Sequence, residues 1–221
     1  MNAIISQINF DQMLNAFSET MYMTMVSLIL SVIFGILIGV LLYCTQTGGL
    51  FENKVIAVVV DFLINVFRAI PYILLLILLF SFSKFLTGRT LGVNAALPSL
   101  VVSATPFFAR LTVIAFNEVD KGTIEASKSM GASNWQIIYK ILVPEALPAL
   151  ISGIAVTGIT LVAYTAMAGA IGSGGLGNLA FTYGYARRNY PILYTATIIL
   201  IIIVFVIQAI GDKLVTKLDK R

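Results

Sequence analysis

Residues 20–44 read TMYMTMVSLILSVIFGILIGVLLYC, a stretch that contains no charged side chain. About 20 mostly apolar residues are enough for an α-helix to cross the ~30 Å hydrocarbon core of a bilayer. A transmembrane β-strand would be shorter and would alternate apolar and polar residues, which this stretch does not do. The stretch therefore predicts a membrane-spanning helix and, with it, an all-α integral membrane protein.

The composition of the whole chain supports that class. Of its 221 residues, 59% are apolar and 11% are charged, and the mean hydropathy is +0.97. Soluble domains have about 45–50% apolar and about 25% charged residues, so a soluble enzyme and a disordered chain are both excluded. The chain has no histidine and one cysteine, Cys44. Catalysis by histidine, zinc sites of cysteine and histidine, and internal disulfides are therefore excluded as well.

Four more apolar stretches complete the predicted topology. The five expected spans are residues 20–44, 55–86, 94–117, 145–171 and 191–211, all in one membrane domain over residues 1–221, with a loop at 118–144. We expect residues before the first span to form a short amphipathic lead-in that stays in the mature protein.

The distribution of cations orients the spans, because Lys and Arg near span ends favour the cytoplasmic side. Four cations fall on one side: Lys84, Arg89, Arg187 and Arg188. Eight fall on the other: Lys54, Lys121, Lys128, Lys140, Lys213, Lys217, Lys220 and Arg221. We therefore expect the N-terminus outside and the C-terminus in the cytoplasm. The basic C-terminus suits a lipid surface better than nucleic acid.

Two motifs bear on nucleotide chemistry. Residues 172–177, GSGGLG, match G-x-G-x-x-G, which in dinucleotide-binding domains follows a strand and presents N–H groups to pyrophosphate. Here the motif follows a predicted span, so we interpret it as a flexible outer loop that turns sharply and lies close to a neighbouring backbone. The P-loop pattern G-x-x-x-x-G-K-[ST] does not occur in the chain, so ATP hydrolysis by such a loop would need another polypeptide.

Charged side chains inside two spans predict an intramembrane polar pair. Asp61, Asn65 and Arg68 share one face of the second span, and Pro71 then kinks the helix. Arg110 lies at a matching depth in the third span. A charge in hydrocarbon costs about 2.5–3.5 kcal/mol, so we expect Asp61 to pair with Arg110. The pair is either structural or breaks and re-forms during a transport cycle.

Small residues crowd the fourth span, where they permit close helix contacts. They either pack within the subunit or line an axis between two copies, and Tyr164 and Met167 are candidates for a constriction. The pattern Gly35-x-x-x-Gly39 in the first span favours simple helix packing. The small residues of the fourth span are Ala149, Ser152, Gly153, Ala155, Thr157, Gly158, Thr160, Ala163, Ala166, Ala168, Gly169 and Ala170.

An aromatic and basic cluster precedes the fifth span. It fits an aromatic belt at the membrane surface or a docking surface for an extracytoplasmic partner. Its members are Tyr183, Tyr185, Arg187, Arg188 and Tyr190.

The loop at 118–144 predicts a helix, a glycine break and a second short segment. Thr123 is a candidate cap of the first turn, Glu125 lies near the positive N-terminal end, and Gly131 permits the left-handed conformation that ends a helix. Such an element suits a membrane subunit that a moving soluble partner must grip, although an ordinary surface loop fits the same residues.

The same loop resembles the EAA loop of bacterial ABC-importer permeases. Five positions match that pattern in register, and Ser127 and Val143 depart from it without changing the spacing. Residues 65–71, NVFRAIP, and 166–177, AMAGAIGSGGLG, resemble the methionine-uptake branch of the family. The matching positions of the loop are Glu125, Ala126, Gly131, Ile141 and Pro144.

The resemblance implies a type I importer permease fold in a bacterial inner membrane. Two copies of the chain would form the pathway, two ATPase subunits would bind the ATP and dock beneath them, and an extracytoplasmic binding protein, a lipoprotein, would deliver the ligand. The chain itself would carry no cofactor or metal and would catalyse no reaction. The ATPase would be coupled through the helix of Glu125 to Ser129, with Trp135 and Pro144 in the same loop.

Methionine, as the L or D form, or a related compound is the substrate that the resemblance implies, with another small amino acid or a peptide as the alternative. A secondary transporter is a different class, but one acid and two arginines in the spans and no internal repeat count against it. A membrane scaffold without transport activity is the third class.

Overall fold

The computed structural model describes residues 10–218, and that part of the chain contains no β-strand. Three π-helical turns, Ile138–Leu142, Gly169–Ser173 and Leu179–Ala186, adjoin its helices. Lys220, Arg221 and residues 1–9 of the expected lead-in lie outside the described residues. The helices are α1 Phe10–Thr45, α2 Lys54–Ala69, α3 Tyr72–Leu78, α4 Phe80–Thr87, α5 Val93–Asn117, α6 Lys121–Ser129, α7 Asn134–Ile137, α8 Val143–Ala168, α9 Gly175–Asn178 and α10 Tyr190–Leu218.

Four continuous helices in the described residues are long and apolar enough to cross a bilayer: α1, α5, the run Asn134–Ser173 that contains α8, and α10. The bent pair of α2 and α3 makes a fifth span if it counts as one. α5 coincides with the predicted third span to within one residue. α1 begins at Phe10, so the lead-in from that residue onward is part of the spanning helix and not a separate segment.

The predicted second span, residues 55–86, is broken in the structure. α2 and α3 meet at an angle of 102° on either side of Ile70 and Pro71. Ile70 is extended, with φ −77° and ψ 122°, as the residue before a proline prefers. A second break at Leu79 separates α3 from α4. The expected kink is therefore a full break, because α2 ends at Ala69 and α3 begins only at Tyr72.

α1 packs against α5 through small side chains. A Cβ at Gly35 would lie 2.8 Å from Cδ1 of Phe108, and one at Gly39 would lie 2.6 Å from Cβ of Thr112. Each glycine therefore lets the two helices approach closely, which confirms the interpretation of this pair as helix packing. The same face of α1 carries buried hydroxyl residues: Thr20, Thr24, Ser27 and Ser31.

The two ends of the bundle are distinguished by their contacts. At one end, which we name the coupling end, Tyr43 of α1 packs on Phe116 of α5, with 5.4 Å between ring centroids, and Val215 of α10 lines a cavity with Glu118. At the other, the glycine end, Glu19 of α1 contacts the glycine-rich turn before α9. The first described residues and the last therefore lie at opposite ends, as an odd number of crossings requires. Which end faces the cytoplasm stays a prediction.

Candidate functional site: the coupling-end helix and the intramembrane polar cluster

Helix α6 begins at an aspartate cap. Oδ1 of Asp120 accepts the backbone N–H of Thr123 at 2.9 Å, and Asp120 itself has extended backbone. The prediction that Thr123 caps the helix was wrong, because Thr123 lies inside the first turn and donates to the cap. An N-cap of this kind stabilises a helix by about 0.5–2 kcal/mol relative to alanine.

The end of α6 is fixed by Gly131, which adopts φ +84°. Its N–H donates to the carbonyl of Lys128 at 3.0 Å, and the N–H of Ala132 donates to the carbonyl of Ser127 at 3.1 Å. These two bonds form a Schellman motif, which ends a helix with a residue in the left-handed region. The predicted role of Gly131 as the helix terminator is confirmed.

Residues 125–127 of α6, two that match the pattern and one that departs from it, divide between its two faces. Glu125 and Ala126 are exposed, whereas Ser127 is 5% exposed and donates its hydroxyl to the carbonyl of Thr123 at 2.7 Å. Glu125 lies in the middle of α6 and not near its N-terminal end, and it makes no ion pair with another described residue. It lines a cavity of about 310 Å³ together with Lys121 and Lys128. An acid between two cations thus remains available to a partner.

A second loop, residues 46–53, supports the exposed element, and no role was predicted for it from the sequence. Nδ2 of Asn134 in α7 donates to the carbonyl of Leu50 at 2.7 Å. The rings of Phe51 and Trp135 lie 5.6 Å apart, and Trp135 is 67% exposed. Pro144 is exposed in the first turn of α8. At the coupling end, helix α6 and an exposed aromatic side chain therefore lie on the same surface.

Asp61, Asn65 and Arg110 form a closed polar cluster between α2 and α5. Nη2 of Arg110 donates to Oδ1 of Asp61 at 2.7 Å and to Oδ1 of Asn65 at 2.9 Å. Nδ2 of Asn65 donates to Oδ2 of Asp61 at 2.9 Å. The side chains of Arg110 and Asp61 are 23% and 41% exposed. The structure therefore places the expected pair in contact.

Arg68 does not join that cluster. It is exposed near the end of α2 and makes no ion pair with another described residue. A cation there interacts favourably with the negative end of the helix dipole.

The small residues of α8 show one of the alternatives that the sequence left open, packing within the subunit, whereas lining an axis between two copies stays a prediction. Gly153 faces Phe108 and Leu111, and Gly158 faces Ile207 and Leu28, so these glycines pack within the subunit. Another face of α8 carries no such contacts and is open in the single chain. We name it the open α8 face, and its exposed residues are Ser152, Val156, Ala163 and Met167.

The two candidates for a constriction have different surroundings. Met167 is 46% exposed on the open α8 face. Tyr164 is half-buried and stacks on Tyr72 of α3, with 4.4 Å between ring centroids and 7° between planes. Met167 therefore faces outward, whereas Tyr164 ties α8 to α3.

The glycine-rich segment after α8 is a sharp turn that leads directly into the short helix α9, so the expectation of a loop was wrong for residues 175–178. Gly172, Gly174 and Gly175 have φ of +103°, +86° and +75° and turn the chain sharply. α9 and the following π-helical turn then fold back on α8, and a Cβ at Gly169 would lie 2.6 Å from the backbone N of Asn178. The expected sharp turn and close backbone approach are confirmed. Further along, Arg187 lies over the ring of Tyr183 at 4.4 Å, which fits both a belt and a docking surface.

Comparison with known proteins identifies the family. Residues 31–221 match the model of the binding-protein-dependent transport system inner membrane component, and the chain belongs to this family. It is 55% identical over 214 residues to the methionine import system permease protein MetP of Bacillus subtilis, covering 97% of this chain and 96% of that protein.

Two further relatives agree with this assignment. A probable D-methionine transport system permease protein MetI of Pasteurella multocida is 46% identical over 203 residues, covering 92% of this chain and 94% of that protein. A solved structure of an inward-facing conformation of the MetNI methionine ABC transporter superposes with a TM-score of 0.93 at 40% identity. That superposition covers 95% of this chain and 97% of the matched chain.

Proposed function

We propose that this chain is the membrane-spanning permease subunit of an ATP-driven importer of methionine in a bacterial inner membrane. Two copies form the pathway, two separate ATPase subunits dock at the coupling end, and an extracytoplasmic binding protein delivers methionine at the glycine end. The chain performs gating and no covalent chemistry. Identity of 55% to a methionine import permease supports the substrate.

The exposed helix α6 is the observation that carries the role of the chain. It is capped by Asp120 at one end and ended by Gly131 at the other, so it is a defined helix and not a fluctuating loop. Its exposed residues include Glu125, and the neighbouring Trp135 is exposed beside it. A short rigid element on a supported platform is suited to transmit the motion of a soluble subunit to the spans.

Gating follows from the way in which α6 is joined to the bundle. It lies between α5 and α8, which pack on each other through Gly153 and Phe108. Closure of the ATPase pair on ATP would draw the two α6 helices together and turn the pathway outward, and hydrolysis would return it inward. Binding energy thus selects between two packed states of the same helices.

The open α8 face supports the dimeric pathway. Two of its four exposed residues, Ser152 and Ala163, are small, and Ser152 supplies a hydroxyl in a span where charges are costly. The open α8 face would therefore make only weak contacts with a small zwitterion that passes along it. Secondary transport is less well supported, because Asp61 and Arg110 already bond to each other and to Asn65.

Complementation tests the proposed substrate. The chain is expressed with its ATPase subunit and binding protein in a methionine auxotroph that lacks its own importer, and growth is measured on low L-methionine or D-methionine. We expect growth to be restored, with uptake of labelled methionine competed by methionine and not by other amino acids. The Bacillus subtilis relative with its partners is the positive control. Uptake competed better by another amino acid or a peptide would replace the substrate, and no growth beside a working control would refute the proposal.

A further inference from the structure

Two side chains of α1 hold the glycine-rich turn in place. Oε2 of Glu19 accepts the backbone N–H of Gly175 at 2.6 Å. Oγ of Thr20 accepts the backbone N–H of Leu176 at 2.8 Å and donates to the carbonyl of Ala16 at 3.0 Å. Both bonds to the turn join residues that are 156 positions apart. The GSGGLG motif therefore presents its N–H groups to a carboxylate and a hydroxyl of the same chain.

The glycines of the turn are shaped around these two acceptors. A Cβ at Gly174 would lie 2.7 Å from Oε2 of Glu19, and one at Gly175 would lie 2.7 Å from Oγ1 of Thr20. Both glycines also have positive φ, which side chains disfavour. Close approach and backbone conformation thus both require glycine where α1 meets the turn.

Breaking this contact would be costly. Thr20 is 1% exposed and Leu176 is fully buried, so water does not replace the hydroxyl as an acceptor. A buried donor that loses its acceptor without replacement by water is unfavourable. The same turn begins directly after the span whose open face carries Ala163 and Met167. The end of α8 is therefore fastened to α1.

We propose that Glu19 and Thr20 are positioning residues for transport: they fasten the α8–α9 corner to α1, so that the glycine end of the pathway opens and closes as one rigid body. This inference rests on the proposed function. With the fastening loosened, the end of α8 moves independently of α1. The pathway then leaks, and ATP hydrolysis is no longer matched by import.

The experiment uses the permease with its ATPase subunits in proteoliposomes, with methionine-loaded binding protein added. Thr20→Val and Glu19→Leu remove the acceptors, whereas Thr20→Ser and Glu19→Gln keep an oxygen at each position. Ser18→Val is the control, because Ser18 is an exposed neighbour on α1 whose hydroxyl bonds only to the carbonyl of Asn15 among the described residues. Methionine imported per ATP hydrolysed and passive efflux of preloaded methionine are measured on equal amounts of assembled complex.

We expect Thr20→Val and Glu19→Leu to lower import per ATP at least about fivefold and to raise passive efflux. Loss of ~1 kcal/mol changes by that factor the equilibrium between a corner bonded to α1 and a corner released from it. Thr20→Ser, Glu19→Gln and Ser18→Val should behave as wild type. Wild-type import per ATP in assembled Thr20→Val and Glu19→Leu would overturn the proposal. A Glu19→Leu chain that fails to assemble would also overturn the proposal. That result would show that the half-buried Glu19 is needed for folding alone.

Hydrogen exchange separates the failure of this inference from failure of the proposed function. The amides of Gly175 and Leu176 should exchange faster in Thr20→Val than in Thr20→Ser, in the permease–ATPase complex, whatever its substrate. Unchanged exchange would refute the fastening itself. Faster exchange in Thr20→Val, together with a wild-type complex that imports no methionine, would refute only the proposed function.

Discussion

Gly131 offers the sharpest test of α6 as the coupling helix. Its φ is +84° and a Cβ there would meet nothing within 4 Å, so replacing it introduces backbone strain without a steric clash. A non-glycine residue in the left-handed region costs about 1–2 kcal/mol, which is a factor of about 5–30 in the population of the capped helix. Gly131→Val should therefore weaken ATPase binding by up to that factor if only the capped form docks.

Gly88 supplies a matched control for this substitution. It ends α4 with φ +76° and equally open surroundings, but it lies in the outer segment that the sequence predicts between the second and third spans. Gly88→Val should leave ATPase binding unchanged, and Gly131→Asn should weaken it less than valine does, because asparagine tolerates the left-handed region better. The affinity is measured by titrating the ATPase subunit onto the purified permease. Wild-type affinity for Gly131→Val, or an equal loss for Gly88→Val, would refute the reasoning.

Three further predictions concern the coupling end and the spans. Glu125→Lys should insert and dimerise normally but lose ATPase stimulation by loaded binding protein, measured as phosphate release; intact stimulation would contradict its role. Exchanging Asp61 and Arg110 should recover much of the stability lost in either single variant, with a coupling of about 0.5–3 kcal/mol in a double-mutant cycle of unfolding in detergent; additive losses would show that the pair is not coupled. After Cys44→Ser, single cysteines on the open α8 face should form symmetric crosslinks between two copies at helical spacing, and crosslinks confined to α10 would move the dimer interface there.

Hydropathy predicted the spans well because a bilayer imposes one requirement on each of them, an apolar run of sufficient length. The proline predicted a kink at Pro71, but hydropathy could not give the size of the bend. A proline removes one N–H and disfavours helix in the residue before it, but the angle of 102° depends on how α3 packs through Tyr72 on α8.

The glycine-rich segment shows a second limit. Its sequence reads as a loop, yet α9 is helical, because its first N–H groups find acceptors in Glu19 and Thr20 at a separation of 156 residues. No local pattern carries that information. The choice of Asp120 over Thr123 as the cap of α6 was readable from the sequence, since aspartate is a stronger N-cap than threonine.

The parts of the candidate site that depend only on the spacing of residues along the chain were predictable. Matching depths in antiparallel spans brought Asp61 and Arg110 together, whereas the exclusion of Arg68 depends on the end of α2. The loop at 46–53 was missed, because its contribution is a carbonyl and a ring that only the fold places beside α7.

Uptake into proteoliposomes tests the central claim most directly. The permease is reconstituted with its ATPase subunit, the binding protein is added outside, and labelled L-methionine inside the vesicles is measured with and without ATP. We predict accumulation that requires ATP, the ATPase subunit and the binding protein together. Accumulation driven by an ion gradient without ATP, or the absence of any flux in a fully assembled complex, would contradict the account.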